Sequence, residues 1–243
     1  MKAMVFAAGL GTRLRPLTDH KPKALVEVGG VPMLRRVLER LRDAGIREVV
    51  VNVHHFPDMI IDYIRCNDGF GLDILISDER DLLLDTGGAI VKAAGLIGEE
   101  PVLVHNADIL TDFSLTDMIA VHKASMADVT LLAQRRSTSR YLLFEEDMRM
   151  CGWCNTATGE VRPEGLSVQG LSPLAFGGVH ILSPRAVKTL CGYAGAGMPF
   201  SITPFYIDRC GSLDIRAYTP SVPFRWFDIG KPDTLAMAER AMQ

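Results

Sequence analysis

Residues 7–25 read AAGLGTRLRPLTDHKPKAL, and this stretch decides how the whole chain is interpreted. An apolar run precedes it, so the sequence predicts a strand that ends in a glycine turn at Gly9 and Gly11. Four cations follow the turn closely: Arg13, Arg15, Lys21 and Lys23. Glycines let backbone N–H groups approach an anion, and nearby cations neutralise several phosphate oxygens at once. The stretch therefore predicts a triphosphate-binding loop.

The residues after the first glycines exclude two familiar phosphate loops. A dinucleotide-binding loop needs a third glycine where this chain has Leu14. A Walker loop ends in Gly-Lys followed by serine or threonine, and no such sequence follows Gly11. A nicotinamide-dependent oxidoreductase is also disfavoured, because the second predicted strand ends in VNVHH at residues 51–55, without an acidic residue to hold a ribose.

The stretch resembles the N-terminal signature of the sugar-1-phosphate nucleotidyltransferases, GxGxRLxPLTxxxPKxL, and every fixed position is filled. The resemblance implies an α/β fold with a Rossmann-like, mixed and mostly parallel sheet flanked by helices, of the nucleotide-diphospho-sugar transferase type. It also implies catalytic roles for Arg13 and Lys23. Further loop residues are then expected to bind the nucleotide: Ala8, Gly9, Gly11 and Thr12.

The composition limits the classes of protein to which the chain can belong. Its 243 residues are 48% hydrophobic, which suffices for a full core. The net charge of −3 argues against a nucleic-acid partner, because such proteins usually carry a basic excess. There is no apolar run long enough for a membrane span, and the apolar stretch before the loop is too short for a signal peptide. We therefore expect a cytoplasmic protein that does not bind membranes.

The first half of the chain alternates short apolar runs with helical patterns, which is typical of a parallel sheet. The predicted strands lie at residues 2–7, 48–53, 72–77, 101–105 and 129–134. The predicted helices lie at residues 33–44, 57–65, 86–94 and 115–123.

After Tyr141 the pattern changes to short apolar segments separated by turn residues. These segments predict a small β-meander insertion folded onto the sheet edge, with strands at 141–145, 149–155, 159–162 and 174–182. The remaining elements are helices at 184–190, 202–210 and 231–242 and a strand at 213–218. We expect one domain over residues 1–243, in which residues 1–135 bind the nucleotide and residues 136–243 bind the sugar phosphate.

Two aspartates match the positions at which the sugar-1-phosphate nucleotidyltransferases hold Mg²⁺. Residues 106–108, NAD, resemble the family's NGD segment with alanine in place of glycine, and residues 225–230, RWFDIG, resemble its W-x-D-x-G element. The resemblance implies that Asp108 and Asp228 hold the metal. Two carboxylates are sufficient, because phosphate oxygens and waters complete the octahedron of Mg²⁺. Taken alone, each aspartate could equally be a turn or capping residue.

Residues 82–90, LLLDTGGAI, resemble the family's LxTGGG-type base-binding turn, with Ala89 at the last glycine position. The resemblance implies that Gly87 and Gly88 let the backbone lie against the base. Asp85 could accept hydrogen bonds from a guanine edge. The same residues could also begin a helix with Thr86 as its N-cap.

Residues 176–179, FGGV, resemble the F-x-G segment that lies near the sugar in the family. The resemblance implies that Gly177 and Gly178 let a sugar ring approach. The region from residue 141 to 170 carries no family motif, and the Glu-Lys-Pro motif of longer relatives is missing from it.

The predicted reaction follows from these parts. A phosphate oxygen of a sugar 1-phosphate attacks the α-phosphorus of a nucleoside triphosphate in line, assisted by Mg²⁺, and pyrophosphate leaves. The nucleophile is already an anion at neutral pH, so catalysis needs positioning and charge neutralisation instead of a general base. This agrees with a motif that is rich in cations and lacks a catalytic serine or histidine.

The sequence leaves the base, the sugar and the oligomeric state open. The resemblance favours a muramate, mannose or heptose 1-phosphate with UTP or GTP, and cytosine also stays possible. The alternatives are an enzyme like phosphocholine cytidylyltransferase and a regulatory subunit that binds nucleotide or sugar phosphate without catalysis. Such a subunit would be expected to lose Lys23 or one of the aspartates, and this chain keeps them.

Several polar residues have no assigned role. Arg15 and Lys21 face either the phosphates or solvent. His105 is expected to pack at a strand end, because Mg²⁺ prefers oxygen ligands. Cys151 and Cys154 have the spacing of a redox or zinc pair, but no second pair accompanies them, so an ordinary strand and turn is predicted.

Overall fold

The computed structural model of the chain describes residues 1–195 and 197–242. Its strands are β1 (Lys2–Phe6), β2 (Glu27–Val28), β3 (Val31–Pro32), β4 (Glu48–Val53), β5 (Asp73–Asp78), β6 (Val102–Asn106), β7 (Ile109–Thr111), β8 (Val129–Gln134), β9 (Arg140–Phe144), β10 (Met150–Asn155), β11 (Glu160–Arg162), β12 (Ser172–Leu182), β13 (Ile215–Tyr218) and β14 (Trp226–Asp228). Its helices are α1 (Met33–Asp43), α2 (Pro57–Cys66), α3 (Asp85–Ile97), α4 (Leu115–Ser125), α5 (Pro184–Cys191), α6 (Ile202–Arg209) and α7 (Pro232–Ala241). The ends of the predicted elements differ from the observed ones by no more than three residues.

One ten-stranded mixed sheet runs through the molecule. Its main path has the order β11-β10-β9-β12-β6-β1-β4-β5, and β8 pairs with both β12 and β13. Strands β6, β1, β4 and β5 are parallel, whereas β12 runs antiparallel to β6, β8 and β9. Among the described helices, none is both long and apolar enough to cross a lipid bilayer.

Apolar side chains alternate between the two faces of the sheet and build a core on each. In β1, Met4 belongs to the cluster that packs against α3, α5 and α6, whereas Ala3 and Val5 belong to the cluster that packs against α1, α2 and α4. Helices therefore cover both faces, as a central parallel sheet requires. The short apolar runs of the sequence predict this layering correctly.

The meander lies at one edge of the sheet, as the sequence predicts. Strand β12 pairs with β6 at its C-terminal end and with β9 at its N-terminal end, so β9, β10 and β11 extend this edge of the central sheet. The reason is the length of β12, which spans eleven residues from Ser172 to Leu182. It is long enough to reach both neighbours.

The sequence pattern misses the two-stranded ladders β2-β3 and β7-β14. Each of these strands has only two or three residues, which is too short to show an alternating pattern. The β7-β14 ladder matters most, because it carries a segment from late in the chain to the carboxyl end of β6.

Candidate active site

A cleft of about 550 Å³ opens at the carboxyl ends of β1, β4 and β6, where open α/β sheets bind ligands. Segments from across the chain line it: residues 6–13, Lys23, Ala24, Asn52, Leu83, Asp85, Thr86, residues 106–108 and Gly230. Most residues that the sequence predicts for phosphates and metal are in this lining: Ala8, Gly9, Gly11, Thr12, Arg13, Lys23 and Asp108. The structure thus brings these residues together.

Gly11 and Thr18 close the loop of residues 9–25 that carries the cations, which we call the phosphate loop. Gly11 has a φ of 67°, and Thr18 Oγ1 donates a hydrogen bond to its carbonyl oxygen at 2.8 Å. A Cβ on residue 11 would lie 2.9 Å from Thr18 Cγ2 and 3.2 Å from Lys23 Cβ. Both the backbone angle and the available space therefore require glycine here, and the loop is held against Lys23.

A small apolar cluster anchors this loop to a segment from late in the chain. Leu14 is buried with a set of apolar side chains: Val26, Val28, Met33, Ile229 and Ala238. Ile229 directly follows Asp228 in the chain. Burial of Leu14 therefore keeps Arg13, its neighbour, next to the segment that carries Asp228.

The β7-β14 ladder brings the two predicted metal-binding aspartates to the same end of the cleft. Asp228 pairs in register with Ile109, and the Ile229 N–H donates to the Asp108 carbonyl at 3.0 Å. The Asp228 side chain accepts a hydrogen bond from the Gly230 N–H at 2.8 Å. Backbone pairing thus fixes the relative position of two residues that are far apart in the sequence.

Charged groups of both signs meet around Gly230. A Cβ on Gly230 would lie 2.8 Å from Asp228 Oδ1, and it would lie 2.9 Å from Arg13 Nη2 and 3.0 Å from Lys23 Nζ. Lys23 is 9% exposed and forms an ion pair with the Asp108 carboxylate. A side chain at residue 230 would collide with these groups, so glycine keeps the space between them open.

The donors at this point suit a hard cation such as Mg²⁺. Asp108 and Asp228 supply carboxylate oxygens, and within residues 1–195 and 197–242 no three His, Cys, Asp or Glu side chains form a metal-binding group. Mg²⁺ is usually held by one or two carboxylates, with phosphate oxygens and waters as its other ligands. The two aspartates therefore fit a magnesium ion that is shared with a bound phosphate.

The remaining two cations of the motif lie away from this point. Arg15 is exposed and pairs with Asp19, with 3.4 Å between Nε and Oδ1. In the described part of the chain neither Arg15 nor Lys21 lines the cleft. Exposed ion pairs of this kind contribute little to stability.

A buried hydrogen-bond chain joins two walls of the cleft. Asn52 Oδ1 accepts from the Ala7 N–H at 2.8 Å, and Asn52 Nδ2 donates to Glu79 Oε1 at 2.8 Å. Glu79 Oε2 accepts from the Leu84 N–H at 3.1 Å. Glu79 is fully buried, where a carboxylate is tolerated only with donors such as these. This carboxylate therefore links the phosphate loop to the wall formed by residues 83–86.

Gly87 and Gly88 are not among the residues that line the cleft, and their role in base binding stays a prediction. The N–H groups of both residues donate to the Phe200 carbonyl, at 2.8 and 3.3 Å. A Cβ on Gly87 would lie 2.3 Å from the Phe200 ring, and one on Gly88 would lie 2.6 Å from the Met198 carbonyl oxygen. The two glycines let α3 pack closely against residues 198–200.

Asp85 and Thr86 are the residues of the same turn that do line the cleft. Asp85 begins α3 with a φ of 57°, and its Oδ1 accepts from the Thr86 N–H at 2.6 Å. Thr86 Oγ1 accepts from the Ile202 N–H at 2.9 Å. Thr86 therefore lies inside the first turn of α3 instead of capping it, and one Asp85 oxygen is used by the turn itself.

Gly177 and Gly178 lie at an irregular step within β12, and neither is among the residues that line the cleft. Gly178 has a φ of 74°, and a Cβ there would lie 3.1 Å from Asn106 Nδ2. The Gly177 carbonyl accepts from Trp226 Nε1 at 2.9 Å. Both glycines thus pack against neighbouring strands, Gly178 close to Asn106 of the cleft lining, and their role in sugar binding stays a prediction.

His105 and the cysteine pair occupy packing positions. His105 is fully buried with Nδ1 2.9 Å from the Asn106 carbonyl oxygen, and burial lowers the pKa of its imidazole to about 3. Cys151 and Cys154 are free thiols on β10, and burial raises the pKa of both. Thiols with raised pKa values are weak nucleophiles.

Comparison with known proteins identifies the group to which this site belongs. A family model described as nucleotidyl transferase matches residues 2–144. The chain belongs to the nucleotidyl transferase family. The matched residues include the whole phosphate loop and Asp108, so the predicted family is confirmed.

Relatives of this nucleotidyltransferase extend the match over the whole chain. The chain is 36% identical over 252 residues to the N-acetylmuramate alpha-1-phosphate uridylyltransferase of Caulobacter vibrioides, covering 98% of this chain and 95% of the relative. It is 27% identical over 238 residues to the mannose-1-phosphate guanyltransferase of Schizosaccharomyces pombe, covering 96% of this chain and 61% of that protein.

Solved structures confirm the predicted fold class. HddC from Yersinia pseudotuberculosis, in complex with GMP-PN, matches with a TM-score of 0.76 at 23% identity, covering 100% of this chain and 99% of that one. UDP-glucose pyrophosphorylase from Acinetobacter baumanii matches with a TM-score of 0.76 at 18% identity, covering 98% and 91% of the two chains. At these identities the likeness shows a shared fold.

Sequence reasoning missed three polar residues of this nucleotidyltransferase: Asn52, Glu79 and Arg136. Asn52 carries a readable signal, because it is a polar residue inside the apolar strand β4. Glu79 lies in a loop and Arg136 follows β8, where charged residues are usually solvated. Only the packing around them reveals that the Glu79 carboxylate is buried and that the Arg136 guanidinium lies 4.5 Å from the centre of the Trp226 ring.

Proposed function

We propose that this enzyme couples a nucleoside triphosphate to a sugar 1-phosphate, giving a nucleoside diphosphate sugar and pyrophosphate. The convergence of Arg13, Lys23, Asp108 and Asp228 at one end of the cleft carries the proposal. Two carboxylates and two cations at one point suit a reaction in which phosphate groups are brought together and separated. A regulatory subunit without catalysis would have no need to keep all four.

The relatives narrow the substrates without fixing them. The match to the Caulobacter uridylyltransferase supports UTP and N-acetylmuramate 1-phosphate, and the match to the fission yeast guanyltransferase supports GTP and mannose 1-phosphate. A heptose 1-phosphate is the third candidate acceptor. We place the nucleotide in the part formed by residues 1–135 and the sugar phosphate in the part formed by residues 136–243.

The chain's own residues would act by holding the reacting phosphates in line. Arg13 is exposed at the mouth of the loop, where its planar guanidinium suits the leaving pyrophosphate. Lys23 is buried beside Gly230 and pairs with Asp108, so its compact charge suits the α-phosphate and the acceptor phosphate. The acceptor oxygen is already an anion, so the bond to the α-phosphorus forms as the bond to pyrophosphate breaks, without a proton acceptor.

We propose that Mg²⁺ is the cofactor and that Asp108 and Asp228 hold it. When bound, the ion would neutralise phosphate charge and thus offset the repulsion between the two reacting anions. Asp108 pairs with Lys23 here, so loading the metal would free the Lys23 ammonium to face the phosphates. We also propose a cytoplasmic location, which agrees with the free thiols of the chain.

Pyrophosphate release from a substrate panel tests the proposal. Four nucleoside triphosphates are each combined with N-acetylmuramate, mannose and heptose 1-phosphates in the presence of Mg²⁺. We expect release only when both a triphosphate and a sugar phosphate are present, and loss of release in EDTA. Release that is independent of the sugar phosphate, or no release with any pair, would overturn the proposal.

A further inference from the structure

A second cavity of about 530 Å³ lies beside the cleft, between the strands β9 to β11 and the start of α6. Cross-strand partners and residues two apart along a strand point to the same face of a sheet. The register therefore puts six side chains on the face that lines this cavity: Arg140, Leu142, Trp153, Asn155, Glu160 and Arg162. We call this cavity the meander pocket.

The charges that line the meander pocket do not balance. Glu160 Oε1 accepts a hydrogen bond from Arg162 Nε at 2.7 Å, so these two residues neutralise each other. Arg136 and Arg140 also line the pocket. Over residues 1–195 and 197–242, neither of them forms an ion pair with a carboxylate of the chain. The pocket therefore keeps a positive charge that attracts anions.

Arg136 is fixed in place by contacts that leave this charge unpaired. Its Nη2 donates to the Phe176 carbonyl at 3.1 Å, and its guanidinium lies on the Trp226 ring. Its Nε is buried and has no hydrogen-bond partner among the described residues. Burial lowers the pKa of this guanidinium, while the charge of Asp228 opposes the effect. A partly buried cation costs free energy unless an anion compensates it.

The rest of the lining suits a sugar. Trp153 and Phe176 present aromatic surface to the pocket, which favours the C–H face of a pyranose ring. Hydroxyl and amide groups are available for sugar hydroxyls: Thr138, Asn155, Ser201 and Thr203. Ser201 precedes α6 without making a capping hydrogen bond through its side chain.

The meander pocket adjoins the reacting end of the cleft. Arg136 stacks on Trp226, which precedes Asp228 on the same short strand. On the other side, the hydrogen bond from the Ile202 N–H to Thr86 Oγ1 ties α6 to the cleft wall. A sugar whose phosphate lies near Asp228 would thus extend past Arg136 into the pocket.

We propose that the meander pocket binds an acidic sugar 1-phosphate, and that Arg140 and Arg136 bind a carboxylate on its ring substituent. The inference rests on the proposed function and deepens it, because it names the class of acceptor. Guanidinium groups suit this role, since their parallel N–H donors match the two oxygens of a carboxylate. Arg136 also lies on the route between this carboxylate and the reacting phosphate.

A matched pair of acceptors tests the inference. N-acetylmuramate 1-phosphate and N-acetylglucosamine 1-phosphate differ only in the lactyl ether that ends in a carboxylate. We compare kcat/KM for both acceptors with UTP and Mg²⁺, in the wild type and in Arg140→Ala. We expect the wild type to prefer the acidic acceptor, and Arg140→Ala to reduce this preference roughly 10- to 100-fold, as expected for a lost hydrogen bond to a charged group.

Two further variants separate carboxylate binding from damage to the fold. Glu160→Gln releases Arg162 from its partner, so we expect a lower KM for the acidic acceptor. A folding defect would not improve binding. Arg65→Ala removes an exposed arginine of α2 that pairs with Asp62, far from the meander pocket lining, and we expect it to keep the wild-type preference.

The outcomes distinguish the inference from the function on which it rests. If the wild type uses both acceptors equally, or if Arg140→Ala lowers kcat/KM for both by the same factor, the carboxylate site is wrong while the nucleotidyltransferase assignment stands. If no sugar 1-phosphate supports pyrophosphate release with any triphosphate, the proposed function itself fails.

Discussion

The phosphate loop and the meander pocket show two ways in which a chain can build a binding surface. In the phosphate loop, residues 9–25 are contiguous, and their spacing alone suggests phosphate chemistry. In the meander pocket, the face comes from every second residue of three strands, and those strands meet only through their register. The cationic motif of the family thus lies in one segment, whereas the surface that we assign to acceptor choice is dispersed over several strands.

If catalysis occurs at the phosphate loop, substitution of its buried lysine should abolish most of the activity. We expect Lys23→Ala to lower kcat/KM by about 10³-fold, because a positioned cation at reacting phosphates acts mainly in the transition state. Asp108→Ala should have an effect of similar size. Pyrophosphate release measures the activity, and circular dichroism checks that the fold is intact. Arg15→Ala, which removes an exposed ion pair, is the control and should keep nearly full activity.

A substitution at Gly87 distinguishes a packing role from the predicted role in base binding. We expect Gly87→Ala to lower the free energy of unfolding by about 1 to 3 kcal/mol, because overpacking against Phe200 forces that ring to move. Gly95→Ala lies in the same helix with open space at its Cβ and should stabilise by up to about 1 kcal/mol. Urea unfolding measures both. A Gly87→Ala variant of normal stability with weakened triphosphate binding would instead support the base-binding role that the sequence predicts.

His180 lies on β12, which joins the central strand β6 to the meander strand β9. Its titration therefore reports on the packing between the cleft and the meander pocket. Burial lowers the pKa of His180 from 6.5 to about 3. Between these values the unfolded chain binds the proton and the folded chain does not, so stability falls as pH falls below 6.5. At pH 5 the expected loss is about 2 kcal/mol.

His180→Leu should remove this part of the pH dependence, while the buried His105 keeps its own contribution. Urea unfolding at pH 7.5 and pH 5.0 measures the difference. His20→Ala changes an exposed histidine and is the control. A variant at residue 180 whose stability falls with acid as steeply as that of the wild type would show that this imidazole is not buried neutral.

The smallest expected effect concerns the link between the phosphate loop and residues 83–86. Glu79→Gln turns one carboxylate oxygen into an N–H donor that faces another donor, so we expect the KM for the triphosphate to rise roughly 10-fold. The double variant Asn52→Asp/Glu79→Gln exchanges the amide and the carboxylate. Each N–H group in this series of hydrogen bonds then has an acceptor again, and most of the triphosphate binding should return. A double variant that is worse than the two single variants combined would refute this role.

Much of the fold follows from the sequence because its elements are long and locally patterned. Local sequence patterns are sufficient to predict the apolar strands β1, β4 and β6 and the amphipathic helix α1. The short ladder β7-β14 does not, because three residues show no period. The attachment of the meander depends on which neighbours β12 pairs with, which is a long-range property.

The candidate site likewise contains some residues that the local sequence indicates and others that only the folded structure reveals. Motif positions such as Gly11 and Lys23 are constrained by contacts within their own segment, so one stretch of sequence is enough to indicate them. The packing of Gly87 against Phe200 could not be read from the sequence, because no local pattern connects the two residues. The role of Glu79 becomes visible only through its hydrogen bonds with Asn52 and with the Leu84 N–H.

The β7-β14 ladder affects the order in which parts of the molecule fold. Closing a long loop costs entropy before any contact repays it, and the contacts of Asp228 with the β6 end close such a loop. The sheet formed by β1, β4 and β6 can assemble without that closure. On refolding, catalytic competence should therefore appear last, after the sheet and its helices have formed, so that recovered turnover reports a completely folded chain.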